Sequence, residues 1–385
     1  MSPKRTERRV FFRRSPSIVC YWLDSGMVLE NFATGVRIQA EPLACSVLHL
    51  FAGWRPLELL SLKLPQFSPA SLRRAVDSLV RHTFLLRSDR PEPPRERAMR
   101  EWKYWNPAAG FFHFSTRDEE ITTDPKEIEF FLRQQARERP LPLPVKRYAR
   151  KPQIPLPTTR ISGEFPRVLL ARRTWRRFSP RPLDLVALST LLRLTWGVQH
   201  WFQLPTLGRV ALKTAPSAGC LHPIEVYVLA RRVHGLPPGL YHYSSDRHRL
   251  ELLRRGASSR QISAYLAGQS WYGPASALLL MTGVFTRTQW KYRSPRAYRA
   301  LLTETGHLCQ TFCLVATWLG LAPFCTLALA DSKIEKDIGL DGISEAVLYA
   351  AGVGSRPEGT DWAPTPDFRE RLGKLLPALD ADSPG

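Results

Sequence analysis

The run ALLLMTGVF, from Ala277 to Phe285, constrains the fold most strongly. It is far shorter than the roughly 20 apolar residues a membrane-crossing helix needs. It is also too evenly apolar to lie at a surface. Such a run reads as a strand buried on both faces. The flanking sequence supplies elements to cover it. Leu183 to Leu194 has helical spacing, with Val186, Leu191 and Leu194 inward and Gly197 just past the end. Thr303 to Leu319 places Leu308, Phe312, Val315 and Leu319 on one helical stripe, stopped by Gly320. Glu225 to Ala230 and Ala346 to Val353 read as further strands. A dense domain of helices and strands is therefore expected over residues 161–385.

The first 160 residues read differently. Residues 1–14 carry six basic side chains against one acid, Glu7, and look like a loose basic arm. Within residues 1–90, strands are expected at Ile18 to Leu23, Met27 to Asn31, Val36 to Gln39 and Phe84 to Leu86. Helices are expected at Leu43 to Ala52 and Leu57 to Leu62. A third follows Ser68, with Leu72, Val76 and Leu79 on one stripe. This order suggests a small winged-helix-like α/β module. Residues 91–160 read as a Pro-rich connector. PEPPRER (91–97) and RPLPLPVKRYARKPQIPLP (139–157) are expected to be extended, because proline removes an amide donor and clashes with the preceding helical turn. The aromatic segment EWKYWNPAAGFFHF (101–114) between them should be pinned to a partner surface.

Hydrophobic residues make up 44% of the 385, enough for full cores. Lys and Arg exceed Asp and Glu by 55 − 34 = 21. That excess attracts polyanions, although Arg-rich composition also follows from genome base composition. The six cysteines (Cys20, Cys45, Cys220, Cys309, Cys313 and Cys325) form no CxxC and no His-Cys cluster of zinc-like spacing. All six read as reduced and structural, and no metal is expected. The basic N-terminus lacks the apolar core of a secretory signal, and no run of 18 apolar residues occurs. A cytoplasmic protein without a membrane span is the expectation.

Four stretches carry chemistry. In RRTWRRF (172–178), Arg172, Arg173 and Arg176 surround Thr174, and guanidinium forks suit phosphate oxygens. In a chain this basic, a solvated turn is the competing reading. In PSAGCLHPIEVY (216–227), Pro216, Ser217, Ala218 and Gly219 form a tight loop whose small side chains let backbone approach a flat ligand. His222 is a general base by residue type, but beside Pro223 it reads better as a structural hydrogen-bonder. In WKYRSPRAYR (290–299), Lys291 and Tyr292 could move protons. A second Lys-Tyr pair at 103–104 shows that the dipeptide alone is weak. YAAGVG (349–354) with Arg356 is a strand ending in glycines and a cation, a shape that can close on a phosphate.

Taken together, RRTWRRF, LKTAPSAGCLHPIEVYVLARRVHGLPPGLYHY (212–243), KYRSPRAYR (291–299), GHLCQTFCLVATWLGL (306–321) and AVLYAAGVG (346–354) resemble the SagB/ThcOx-type azoline dehydrogenases. These belong to the nitroreductase-like flavoproteins. The resemblance implies an α+β fold and a homodimer holding FMN at its interface. It implies that Arg172, Arg173, Thr174 and Arg176 hold the flavin phosphate and ribityl chain, and that Pro216, Ser217, Ala218 and Gly219 line the ring. Gln310 would approach from the helix side, and Gly354 and Arg356 would close the phosphate end. Lys291 and Tyr292 would be the catalytic pair. The implied activity is oxidation of a peptide-borne thiazoline or oxazoline to an azole, with a peptide substrate and a partner cyclodehydratase. Two departures are Thr174 in place of the usual Ser, and Cys220 after PSAG. Two other readings stay open. One is a nicotinamide-fed flavin oxidoreductase acting on a small molecule. The other is a nucleic-acid-binding regulator acting through residues 1–90, with Arg73, Arg74 and Arg81 facing phosphates; a solvated helix face is the favoured reading of those arginines.

Overall fold

The computed structural model describes residues 9–138, 155–157, 162–204 and 208–359. Its architecture is α+β. Six strands of the described residues form the main sheet: β1 (Ile224–Ala230), β2 (Gly239–Ser244), β3 (Arg249–Arg255), β4 (Ala277–Val284), β5 (Leu321–Thr326) and β6 (Glu345–Ser355). Their order is β3-β2-β1-β4-β6-β5, and every neighbouring pair is antiparallel. The apolar run is β4, at the centre. Seven of its eight residues are buried. Leu279 and Met281 face one core cluster, while Leu278 and Leu280 face another, so both faces are covered.

Helix α1 (Leu185–Thr195), helix α2 (Phe285–Lys291) and the long helix α3 (Tyr298–Trp318) belong to the same half. The carboxylate of Asp184 caps α1 by accepting the Val186 N–H at 3.2 Å. Val186, expected inward, is in fact 69% exposed. The buried face is Leu188, Leu191, Leu192 and Thr195, and at 100° per residue Val186 falls on the opposite side. On α3, Leu308, Cys309, Phe312, Cys313 and Ala316 are buried, close to the expected stripe. Gly320 ends the helix with φ +71°, a left-handed position that glycine occupies without a Cβ penalty. Among the described residues, no helix is long and apolar enough to cross a membrane.

The N-terminal residues build their own core from Phe12, Leu29, Val47, Phe51, Leu60, Leu72, Val76, Leu79 and Phe84. The strands Ile18–Leu23, Gly26–Asn31 and Val36–Gln39 form an antiparallel meander. Helices Pro42–Leu50, Glu58–Lys63 and Pro69–Arg81 lie where the apolar spacing puts them. Ser68 caps the last of these by accepting the Ser71 N–H at 3.2 Å. The basic arm needs correction. Phe11–Arg14 is a strand that pairs with Arg55–Pro56 and Leu85–Arg87, because Phe12 has a core to enter. Arg73, Arg74 and Arg81 are exposed on the face opposite the apolar stripe.

The connector also needs correction. Residues 94–138 hold the helices Pro94–Ala98, Ala108–Ser115 and Pro125–Glu138 and a 3-10 turn at Met99–Trp102. Prolines begin the first and last of these, where the missing amide costs nothing. Most of the RPLPLPVKRYARKPQIPLP stretch lies outside the described residues. The aromatic segment is pinned against this chain itself. Trp102 and Trp105 are fully buried in the core that contains β4, α1 and α3. Trp102 Nε1 donates to the Ile343 carbonyl at 2.8 Å, and Trp105 Nε1 to the Tyr292 carbonyl at 3.1 Å. The ion pair between Arg117 and Glu335 ties the same segment further along. Trp102→Phe keeps most of the apolar surface but leaves the Ile343 carbonyl without its donor. It is expected to cost about 1–3 kcal/mol in urea unfolding. An unchanged midpoint and slope would show that this bond contributes nothing.

Candidate active site

The PSAG loop joins the β-hairpin around residue 210 to β1, and three left-handed residues shape it. Gly219, Cys220 and His222 all have positive φ, at 63°, 56° and 43°. Left-handed conformations at the two non-glycine positions store strain of a kind that clusters at functional sites. Ser217 holds the loop by accepting the His222 N–H at 2.9 Å and donating to Glu304 Oε2 of α3 at 2.6 Å. The His222 ring is neutral, its pKa pushed down to about 4 by burial and then by Lys213. Its Nε2 lies 2.9 Å from the Ala211 carbonyl, so that nitrogen carries the proton. His222 thus acts as the structural hydrogen-bonder.

Lys291 at the end of α2, and Tyr292 just after it, lie directly over this loop. A Cβ built on Gly219 would sit 2.8 Å from Tyr292 Oη and 2.9 Å from Lys291 Nζ. Two groups more than 70 positions apart in sequence therefore share one spot with the PSAG backbone. Their place is fixed from behind by Trp105 on the Tyr292 carbonyl and by the Arg293 guanidinium, 4.9 Å from the Tyr104 ring centroid. Tyr104 of the second Lys-Tyr pair thus packs against the residue that follows the first.

Beside the loop opens a cleft of about 510 Å³ lined by Lys213, Gly219, His222, Glu225, His242, Arg287 and other residues. Glu225 pairs with Arg287 at 2.6 Å and with His242 at 3.2 Å. His242 also meets Glu251 at 2.8 Å, and the two carboxylates, Glu225 first, push its pKa up to about 9. Glu304 is 4% exposed, and burial pushes its pKa up to about 7, opposed by Ser217, Lys213 and Arg287. None of Lys213, Glu225, His242, Arg287 and Glu304 was singled out from the sequence. Glu304 carried one usable signal: an acid on a helix that is otherwise packed against apolar residues.

The raised value for Glu304 has a pH consequence. The folded state holds this proton more tightly than the unfolded chain, whose carboxyl titrates near the ordinary 4.5. Stability from this group therefore falls as pH rises from about 4.5 and levels off above about 7. Glu304→Gln keeps a hydrogen-bonding partner for Ser217 without the charge. Its melting temperature relative to the parent is expected to rise between pH 5 and pH 8. A difference that stays flat over that range would place the Glu304 titration elsewhere.

The cationic stretch lies at the other end of α3. The Trp175 N–H donates to the Pro323 carbonyl at 2.9 Å, which lays the RRTWRRF segment across β5. The Arg356 guanidinium sits 5.3 Å from the Trp175 ring centroid and donates to the carbonyls of Leu321 (2.8 Å) and Thr317 (3.3 Å). Arg173 donates to the carbonyls of Leu170 and Arg172. Thr174 is half-buried and Arg176 exposed. Gly354 is buried beneath Phe178, whose ring a Cβ would meet at 2.7 Å, so the glycine here makes room for that ring. Gln310 is exposed on the outer face of α3, between the two ends. Glu304 and Thr317 are 13 residues apart, about 20 Å along the axis at 1.5 Å per residue. The structure thus brings Gly219, Ser217, Lys291 and Tyr292 together, gathers Arg172 to Arg176 and Arg356 at a second place, and leaves Gln310 on the surface between. The donor chemistry fits a long ligand with a flat ring and a phosphate: a cradle without a Cβ at one end and clustered guanidiniums at the other.

Known proteins are similar to this half of the chain. A family model described as the Nitroreductase family matches residues 169–355. The chain is 31% identical over 191 residues to a protein described as putative nitroreductase MJ1384 of Methanocaldococcus jannaschii, a match that takes in 50% of this chain and 90% of that one. It is 29% identical over 175 residues to the trifolitoxin-processing protein TfxB of Rhizobium leguminosarum bv. trifolii, covering 44% of this chain and 47% of TfxB. It is 31% identical over 152 residues to the microcin B17-processing protein McbC of Escherichia coli, covering 38% of this chain and 55% of McbC.

Proposed function

Because the chain belongs to the nitroreductase family of flavin-dependent oxidoreductases, we propose that it is an FMN-dependent dehydrogenase oxidising a thiazoline or oxazoline in a peptide to the azole. The observation that carries this reading is the placement of Lys291 Nζ and Tyr292 Oη against Gly219. Two relatives are named for processing trifolitoxin and microcin B17, which supports a peptide substrate.

A bound flavin supplies the two-electron acceptor. The chain's own residues do the rest. Arg172, Arg173, Thr174, Arg176 and Arg356 bind the phosphate and its tether. Pro216 to Gly219 offer backbone to the ring face, and Ser217 fixes that backbone through Glu304. Lys291 or Tyr292 takes the proton from the azoline ring carbon, and the cleft holds the flanking peptide. Phe165, Leu170 and Trp318 are 65%, 61% and 48% exposed near the cationic end, an apolar surface suited to a second copy of the chain. A cyclodehydratase that makes the azoline is the expected partner, and the enzyme acts in the cytoplasm.

The test is the absorbance of the purified protein and the mass of the cofactor it releases, followed by incubation with an azoline peptide. Flavin bands, an FMN mass and loss of two hydrogens from the peptide are expected. A colourless protein that takes up no added FMN would sink the reading. Bleaching by NADPH, with no conversion of any azoline peptide, would move the assignment to small-molecule reduction.

A further inference from the structure

Outside the loop and the cleft, the structure assembles a second chemically distinct group. Cys309 and Cys313 stand one helical turn apart on the inner face of α3, and Cys325 lies near the end of β5. Their three sulfurs all lie within 4.8 Å of one another. Cys309 and Cys313 are each 4% exposed, and Cys325 is half-buried. In sequence the pattern is C-x3-C-x11-C. The absence of CxxC hides it, because the third sulfur arrives by packing of helix on strand.

We propose that Cys309, Cys313 and Cys325 form a binding site for a divalent thiophilic metal ion, with Zn(II) as its occupant. Three thiolates are the soft donors that such ions select. A zinc–sulfur bond of ~2.3 Å implies sulfurs about 4 Å apart, so the three thiols need draw in only by rotamer adjustment. Two ligands on one rigid helix and one on an adjoining strand are largely pre-positioned.

The surroundings favour a divalent ion. The Arg172 charge acts on both Cys313 and Cys325. Three thiolates around a dication carry one net negative charge, which a single guanidinium offsets. Around a monocation the same ligands would carry two. Tyr349 stands beside the group, within electrostatic reach of Cys309 and Cys325. Tyr349 also lines a cleft of about 490 Å³ with Thr305, Gly306 and Leu327. Binding releases three thiol protons to solvent and involves no electron transfer.

The test uses the full chain, reduced and chelator-treated, with Zn(II) added against a chromophoric competitor and Co(II) as a spectroscopic stand-in. One equivalent per chain is expected, with cobalt showing thiolate charge-transfer bands and the intense visible bands of a four-coordinate site. Cys313→Ala should weaken binding by more than about 100-fold, since losing an outer partner alone costs 10–100-fold. Cys20→Ala, Cys45→Ala and Cys220→Ala should leave it unchanged. Because Cys309 and Cys313 are core residues, a measurement on the unaltered protein stands beside the variants. Zinc should protect Cys325, the half-buried member of the three, from alkylation, mapped by mass, while the exposed Cys20 and Cys220 react equally with and without it. Uptake below about a tenth of an equivalent, or protection falling on other cysteines, would overturn the assignment. Flavin content is read in the same samples, so loss of metal and loss of flavin are told apart.

Discussion

Changing Lys291 to Ala and Tyr292 to Phe together is expected to lower turnover of an azoline peptide by about 10²–10⁴-fold, the range a positioned acid–base group contributes. The fold should survive. Lys291 is exposed and Tyr292 only half-buried, and Phe keeps the ring. The contact that holds this stretch, Trp105 Nε1 on the Tyr292 carbonyl, involves backbone and is untouched. Melting temperature and flavin content should therefore stay close to the parent while kcat falls. Parental kcat with bound flavin would remove the pair from the chemistry. The single variants then divide the work: the proton acceptor is the residue whose loss also changes the pH profile of kcat/KM.

Gly219→Ala is the second large effect, and it acts by displacement. Alanine at φ +63° costs about 1–2 kcal/mol of stability. The new Cβ also lands on the ends of two flexible side chains, Lys291 and Tyr292, which will move aside. A shift near 1 Å at reacting groups costs on the order of 100-fold in rate. Activity is thus expected to fall about 100-fold while the protein stays folded. In the Lys291→Ala/Tyr292→Phe background the same change should add little, because the groups it displaces are gone. A full further loss there would mean that Gly219 matters through its backbone alone.

Much of this arrangement was legible in the sequence. The central strand announced itself by an unbroken apolar run, and α3 by its stripe. The helices and meander of the first 90 residues followed from period and caps. What failed had a common cause, since each failure concerned what a segment packs against. Phe12 turned a basic arm into a strand because a core lay within reach. Trp102 and Trp105 turned a connector into part of the main core. Val186 was assigned inward from apolarity, and the helix phase set it outward. The site divides the same way. PSAG and RRTWRRF stand out as short motifs. Glu304, Arg287, His242 and the third sulfur of the cysteine group are single residues whose meaning comes from neighbours far along the chain.

The way the aromatic segment is buried has a practical outcome. The family match begins at residue 169, and that is a natural place to cut a shorter version for crystallisation or engineering. Such a fragment would leave behind Trp102, which packs 4.8 Å from Phe285, and Trp105, at 5.9 Å from Tyr298. It would also lose His113, which meets the Tyr298 hydroxyl at 2.8 Å. The floor beneath Lys291 and Tyr292 would then be open to water. The excised piece would bind hydrophobic dyes and be digested quickly, with helices retained but loose packing. The smallest unit worth producing keeps residues 101–114 and, because Phe32 stacks on Phe114 at 6.1 Å, the N-terminal meander that carries it; homology marks ancestry, and the aromatic floor marks where the molecule holds together.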